Sequence, residues 1–109
     1  MKNNTETFYN LLQKSSTIEL QNFLASNNNI DLNSPIGEDL ATPLYIACFN
    51  GNLEIVTLLL EKGAEPNKQN NNDDSCFFGL ALHNNNTIKI AEKLFQYHIN
   101  PNIQNKDGN

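Results

Sequence analysis

Two histidines, two cysteines and two short acidic clusters are the residue types in this chain that could carry chemistry, and their spacing argues against each. His83 and His98 are separated by a helical stretch, with no cysteine or carboxylate at ligand spacing, so no metal site is expected. Cys48 lies beside Ala47 in an apolar run with no neighbour to lower its pKa, and it reads as core, not as a nucleophile. Cys48 and Cys76 form no CxxC pair and read as reduced thiols. Asp73-Asp74-Ser75 and Asp107-Gly108-Asn109 share residue types with calcium loops but lack the bidentate glutamate, so they read as turns. No glycine-rich phosphate loop is present and no Ser/His/Asp set stands out. The expectation is a chain that is not an enzyme and uses no cofactor.

The elements that position these residues must come from a chain of 109 residues with a formal charge of −5. Only seven residues are Lys or Arg. Nucleic acid and anionic membrane are therefore poor partners, because both are bound by neutralising phosphates. No apolar run approaches the roughly 20 residues that span a bilayer, and Met1 to Thr7 lacks the apolar centre of a signal peptide. A cytoplasmic location follows as an expectation, and the sequons at Asn3 and Asn85 then have no bearing. About one residue in five is asparagine, which weakens helix and strand propensity and belongs in turns and caps.

A repeat organises the chain. Residues 18–33, 53–67 and 88–102 align, and their closing asparagines, Asn33, Asn67 and Asn102, are 34 and 35 positions apart. Each segment opens with apolar residues at helical spacing: Ile18, Leu20, Phe23 and Leu24; Leu53, Ile55, Val56, Leu59 and Leu60; Ile88, Ile90, Ala91, Leu94 and Phe95. A shorter helix precedes each long one. The clearest starts at Thr42 as N-cap with Pro43 in the first position and ends before Gly51. The middle long helix stops at Gly63, the residue type that most cheaply adopts a left-handed turn. Residues 34–41 and 68–74 are rich in Gly, Pro, Asn and Asp and join one helix pair to the next; the second reads as a mobile loop.

The stretch 41–67 closely resembles the ankyrin repeat. Thr42-Pro43-Leu44-Tyr45-Ile46-Ala47 matches its TPLH-x-A motif with Tyr45 in the histidine place, and Gly51, Ile55, Val56, Leu59, Leu60, Gly63 and Ala64 continue the pattern. A third unit is similar but degenerate: 76–81 stands where 42–47 stands, without the proline. Gly79 costs about 1 kcal/mol in so short a helix, and Asp74 or Ser75 must supply the cap. Asn85 replaces Gly51, while His98 stands where Gly63 stands and lacks asparagine's tolerance of that conformation. The first unit matches mainly in its second helix, and Gln21 in the place of Val56 suits a terminal capping repeat.

The resemblance implies an all-α solenoid of about three stacked helix-turn-helix units joined by loop or β-turn fingers. Its expected divisions are 5–33, an N-terminal capping-type repeat; 34–67, an ankyrin repeat; 68–102, a degenerate repeat; and 103–109, the lead-in to a further one. The last face, with Leu94, Phe95 and Ile99 nearby, is expected to be exposed. The implied function is non-catalytic binding of a protein partner in the concave groove formed by loop tips and short helices. Glu38, Asp39, Ala41, Phe49 and Asn50 are the groove positions of the strong unit, and Asp73, Asp74, His83 and Asn84 those of the degenerate one. Phe49 has the character of an interface anchor, the equal alternative being that it packs against His83 or a neighbouring loop. The acidic tips favour a basic partner. The competing expectation is the recognition segment of a larger effector or regulatory protein whose enzymatic part lies elsewhere. The richness in Asn, Ile and Lys suits an AT-rich genome, such as those of intracellular bacteria, large viruses, amoebae and protozoa; in the first two cases action in host cytoplasm is the expectation.

Overall fold

Thr42 and Pro43 begin the central short helix by two local means. The Thr42 hydroxyl accepts a hydrogen bond from the Tyr45 amide at 3.3 Å, and Pro43 occupies a position whose N–H would have no helical partner. A computed structural model describes residues 4–14, 17–27, 29–36, 40–71, 73–81 and 86–100. Among the described residues there are six helices: α1 (Asn4–Leu12), α2 (Thr17–Ser26), α3 (Pro43–Asn50), α4 (Leu53–Glu61), α5 (Cys76–Ala81) and α6 (Thr87–Gln96). They pair as hairpins, α1 with α2, α3 with α4 and α5 with α6. The hairpins stack, so that α1, α3 and α5 form one layer and α2, α4 and α6 the other. This is the expected all-α solenoid.

Short helices of this kind are marginal alone and depend on what they bury. In α3, Leu44, Ala47 and Cys48 are inaccessible because the helix is packed between α1 and α5 with α4 behind it. In α4, Ile55, Val56 and Leu59 are wholly buried, each contributing about 1.5–3 kcal/mol of transfer free energy. The Phe8 and Phe23 rings, stacked 5.9 Å apart, join α1 to α2.

Three helices end in the same turn. The amides of Gly51 and Asn52 donate to the carbonyls of Cys48 and Ala47, those of Gly63 and Ala64 to Leu60 and Leu59, and those of His98 and Ile99 to Phe95 and Leu94. The first residue of each pair is left-handed, with φ of 71° at Gly51, 104° at Gly63 and 68° at His98. His98 thus makes the glycine turn despite its side chain. Asn85 lies outside the described residues.

The closing asparagines tie the units together. Asn33 Oδ1 accepts from the Glu65 amide at 2.7 Å and its Nδ2 donates to the Gly63 carbonyl at 3.5 Å. Asn67 repeats this one unit on, accepting from the Asn100 amide at 2.6 Å and donating to the His98 carbonyl at 3.4 Å. Each asparagine thereby binds the helix-ending turn of the next unit. Asn102 lies outside the described residues.

Leu94 and Ile99 are core residues: Leu94 is wholly buried on α6, which packs on α4, and the Ile99 amide donates to the Leu94 carbonyl. Phe95, exposed like Ile88 on the same helix, meets Phe77 edge-to-face at 5.7 Å. Gly79 also has a specific reason: a Cβ there would lie 3.0 Å from the Tyr45 ring, so its absence makes room for the residue that replaces the motif's histidine.

Candidate functional site

The layer of short helices leaves a groove of about 270 Å³ where α1 meets α3. Tyr9 and Gln13 form one wall, Tyr45, Phe49 and Asn50 the other, with Ala41 and Ile46 between them. The groove is a product of helical periodicity. Tyr45 and Phe49 are four residues apart on α3 and share the face turned away from α4, while Leu44, Ala47 and Cys48 occupy the buried faces. Asn50 Nδ2 donates to Gln13 Oε1 at 3.2 Å, bridging the two walls at one end. Phe49 keeps 40% of its surface exposed on a helix otherwise largely buried. Aromatic faces beside paired amides can receive an apolar side chain while hydrogen-bonding to the backbone that carries it.

Ala41, Phe49 and Asn50 all line this groove, with different exposure. Ala41 is buried, and its carbonyl accepts from the Ile36 amide at 2.9 Å. Asp74 is likewise buried and is no outward acid. Its amide donates to Asn70 Oδ1 at 3.0 Å and its carbonyl accepts from the Asn70 amide at 2.9 Å. Asn70 itself is buried in this finger. Asp73 is exposed at this tip with φ of 60°, matching Leu40, with φ of 59°, in the preceding finger. Glu38, Asp39, His83 and Asn84 lie outside the described residues.

Sequence reasoning missed Tyr9, Gln13, Tyr45 and Ile46. Tyr45 carried a signal, since it departs from a motif histidine at a position beside the groove. Tyr9 and Gln13 carried none, because α1 belongs to the part of the first unit where the repeat pattern is absent.

Among the described residues the groove lining has no charged side chain. The acids cluster in the other layer, where Glu54 and Glu61 of α4 flank a second groove of about 310 Å³ shared with Thr17 and Gln21 of α2. The thiols of Cys48 and Cys76 are both buried. A hydrogen bond with Cys76, followed by burial, holds the Cys48 thiol well above its ordinary pKa. Among the described residues no group of three or more His, Cys, Asp or Glu could hold a metal ion, and no helix is long and apolar enough to cross a membrane.

Comparison with known proteins agrees with this architecture. The family model for ankyrin repeats, in three copies, matches residues 1–107. An ankyrin repeat protein of Acanthamoeba polyphaga mimivirus is 33% identical over 72 residues, covering 61% of this chain and 7% of that protein. The match thus spans a small part of the viral relative. With two layers of paired helices, a repeated asparagine tie and a family match over nearly its whole length, the chain belongs to the ankyrin repeat family.

Proposed function

We propose that this chain is a non-catalytic module that binds a protein partner through the groove between α1 and α3. Ankyrin repeats are generally protein–protein interaction modules, and the family is typically non-catalytic. The observation that carries the reading to this groove is Phe49, half-exposed on a buried helix beside the Gln13–Asn50 bridge. A rigid stack presents such a side chain already ordered, so little entropy is lost on binding.

A basic partner is the expected class, drawn by the exposed Asp73 and by the net negative charge. Its acidic contacts would lie around the aromatic groove and not within it. The compartment we assign is the cytoplasm, on the free buried thiols, and host cytoplasm if the viral likeness extends to origin.

Quantitative capture from a cytosolic extract tests the reading. A protein retained by the original chain should be lost with Phe49→Ala and kept with Glu54→Ala/Glu61→Ala, which alters only the second groove. The reverse pattern would move the working surface to the α2–α4 layer. The fact that the viral match covers 7% of its protein favours a second reading, in which these repeats are the recognition segment of a larger effector or regulatory protein.

A further inference from the structure

The layer of α2, α4 and α6 has two seams, α2 against α4 and α4 against α6. On α4, which has α6 packed beside it, Val56 and Leu60 are buried at 0% and 3% exposure. The places 35 positions earlier, on α2, hold Gln21 and Ala25, and both are exposed. The α2–α4 seam is correspondingly open as the groove of about 310 Å³, with Gln21 in its lining. Gln21 therefore lies on the side of α2 that meets the next unit. Packing favours an apolar residue there, and departures from what the fold requires concentrate at working surfaces.

This groove carries one sign of charge. Glu54 and Glu61 stand on its α4 wall with Thr57 between them; both are exposed, and neither has an ion-pair partner among the described residues. Seven residues of helix separate them, two turns, which sets them on one side of α4 about 10 Å apart. Glu61 is the last residue of α4, at the negative end of the helix dipole. Among the described residues no Lys or Arg lines the groove, and Lys62 lines a separate hollow with Leu24 and Ala25. Leu53 and Leu58 add apolar surface beside the two carboxylates.

We propose that the α2–α4 groove docks a cationic amphipathic helix of a partner protein, with Lys or Arg at positions i and i+7 and apolar residues at i+3 and i+4. Such a helix places its cations at the same spacing of about 10 Å, so when it lies along α4 each cation meets one glutamate. The apolar residues between the cations then cover Leu53 and Leu58. Charge steers the helix and fixes its register, while the open seam admits the apolar ridge that a filled seam would exclude. The α1–α3 groove lies in the other layer, and docking here is independent of it.

The test uses the full chain and a fluorescein-labelled synthetic helix with lysines seven positions apart and leucines between them. An isomer of the same composition, with its lysines on opposite sides, is the control. Anisotropy at low salt should show the first peptide binding about tenfold more tightly than the isomer. Glu54→Gln/Glu61→Gln, at two exposed positions, should remove that advantage. Gln21→Val/Ala25→Leu gives this seam the apolar character of the next one; it should raise the melting temperature and abolish binding. Phe49→Ala should leave binding unchanged, which separates this surface from the α1–α3 groove. Amide shifts of the isotope-labelled chain should gather in α2 and α4. Absence of binding, equal affinity for the two peptides, indifference to Glu54→Gln/Glu61→Gln, or shifts centred on α1 and α3 would overturn the proposal.

Discussion

A left-handed backbone at His98 and Leu40 carries a cost that glycine would not incur, of about 1 kcal/mol each. His98→Gly and Leu40→Gly should therefore each raise the unfolding free energy in urea by up to about that amount, less the entropy glycine adds to the unfolded chain. Unchanged stability in both would contradict the turn geometry. At Cys48 the sign of the pH effect follows from its raised pKa. The folded chain holds this proton more tightly than the unfolded one, so the contribution is complete below the thiol's ordinary value of about 9.0 and is lost as pH rises beyond it. Melting followed at rising alkaline pH should show this decline, and Cys48→Ala should lessen it. The asparagines show why composition misleads at this scale. Asn33, Asn67 and Asn70 satisfy backbone groups by specific hydrogen bonds, a use that a count of asparagines does not reveal.

The helices of the middle unit were legible in residues 41–67 because their signals are local. Thr42 caps, Pro43 starts, and Gly51 and Gly63 stop, each acting on atoms within four or five positions. The pairing of Tyr45 with Gly79 was not, because it joins residues 34 positions apart in different units. Glycine in a helix loses about 1 kcal/mol against alanine. Gly79→Ala should nevertheless bring no gain while Tyr45 is present, and should gain about that amount in a Tyr45→Ala background. A double-mutant cycle read by thermal unfolding measures the coupling; equal gains in both backgrounds would show that the ring does not press on this helix. The fingers were half legible: their turn chemistry was visible, but Ala41 and Asp74 are buried and their carbonyls accept from the Ile36 and Asn70 amides, pairings that single residues do not announce.

At the scale of the whole molecule, stability is shared between hairpins and the ties between them. Asn67→Ala removes two hydrogen bonds to the third unit and should cost about 1–3 kcal/mol, with loss of amide protection concentrated in α5 and α6. Protection lost equally along the chain would mean that the units unfold as one body. The repeat period revealed the stack but only one wall of the groove, since the other comes from α1, where the pattern is weakest. The proposed function rests on that composite surface. The most direct test is calorimetric affinity for the captured partner, measured for the original chain and for Phe49→Ala with an unchanged circular dichroism spectrum. Truncating a central aromatic anchor should weaken binding by roughly 30-fold, about 2 kcal/mol, while Glu54→Ala/Glu61→Ala leaves it close to the original. Equal affinity of the original chain and Phe49→Ala would place the partner elsewhere and contradict the groove as the binding surface.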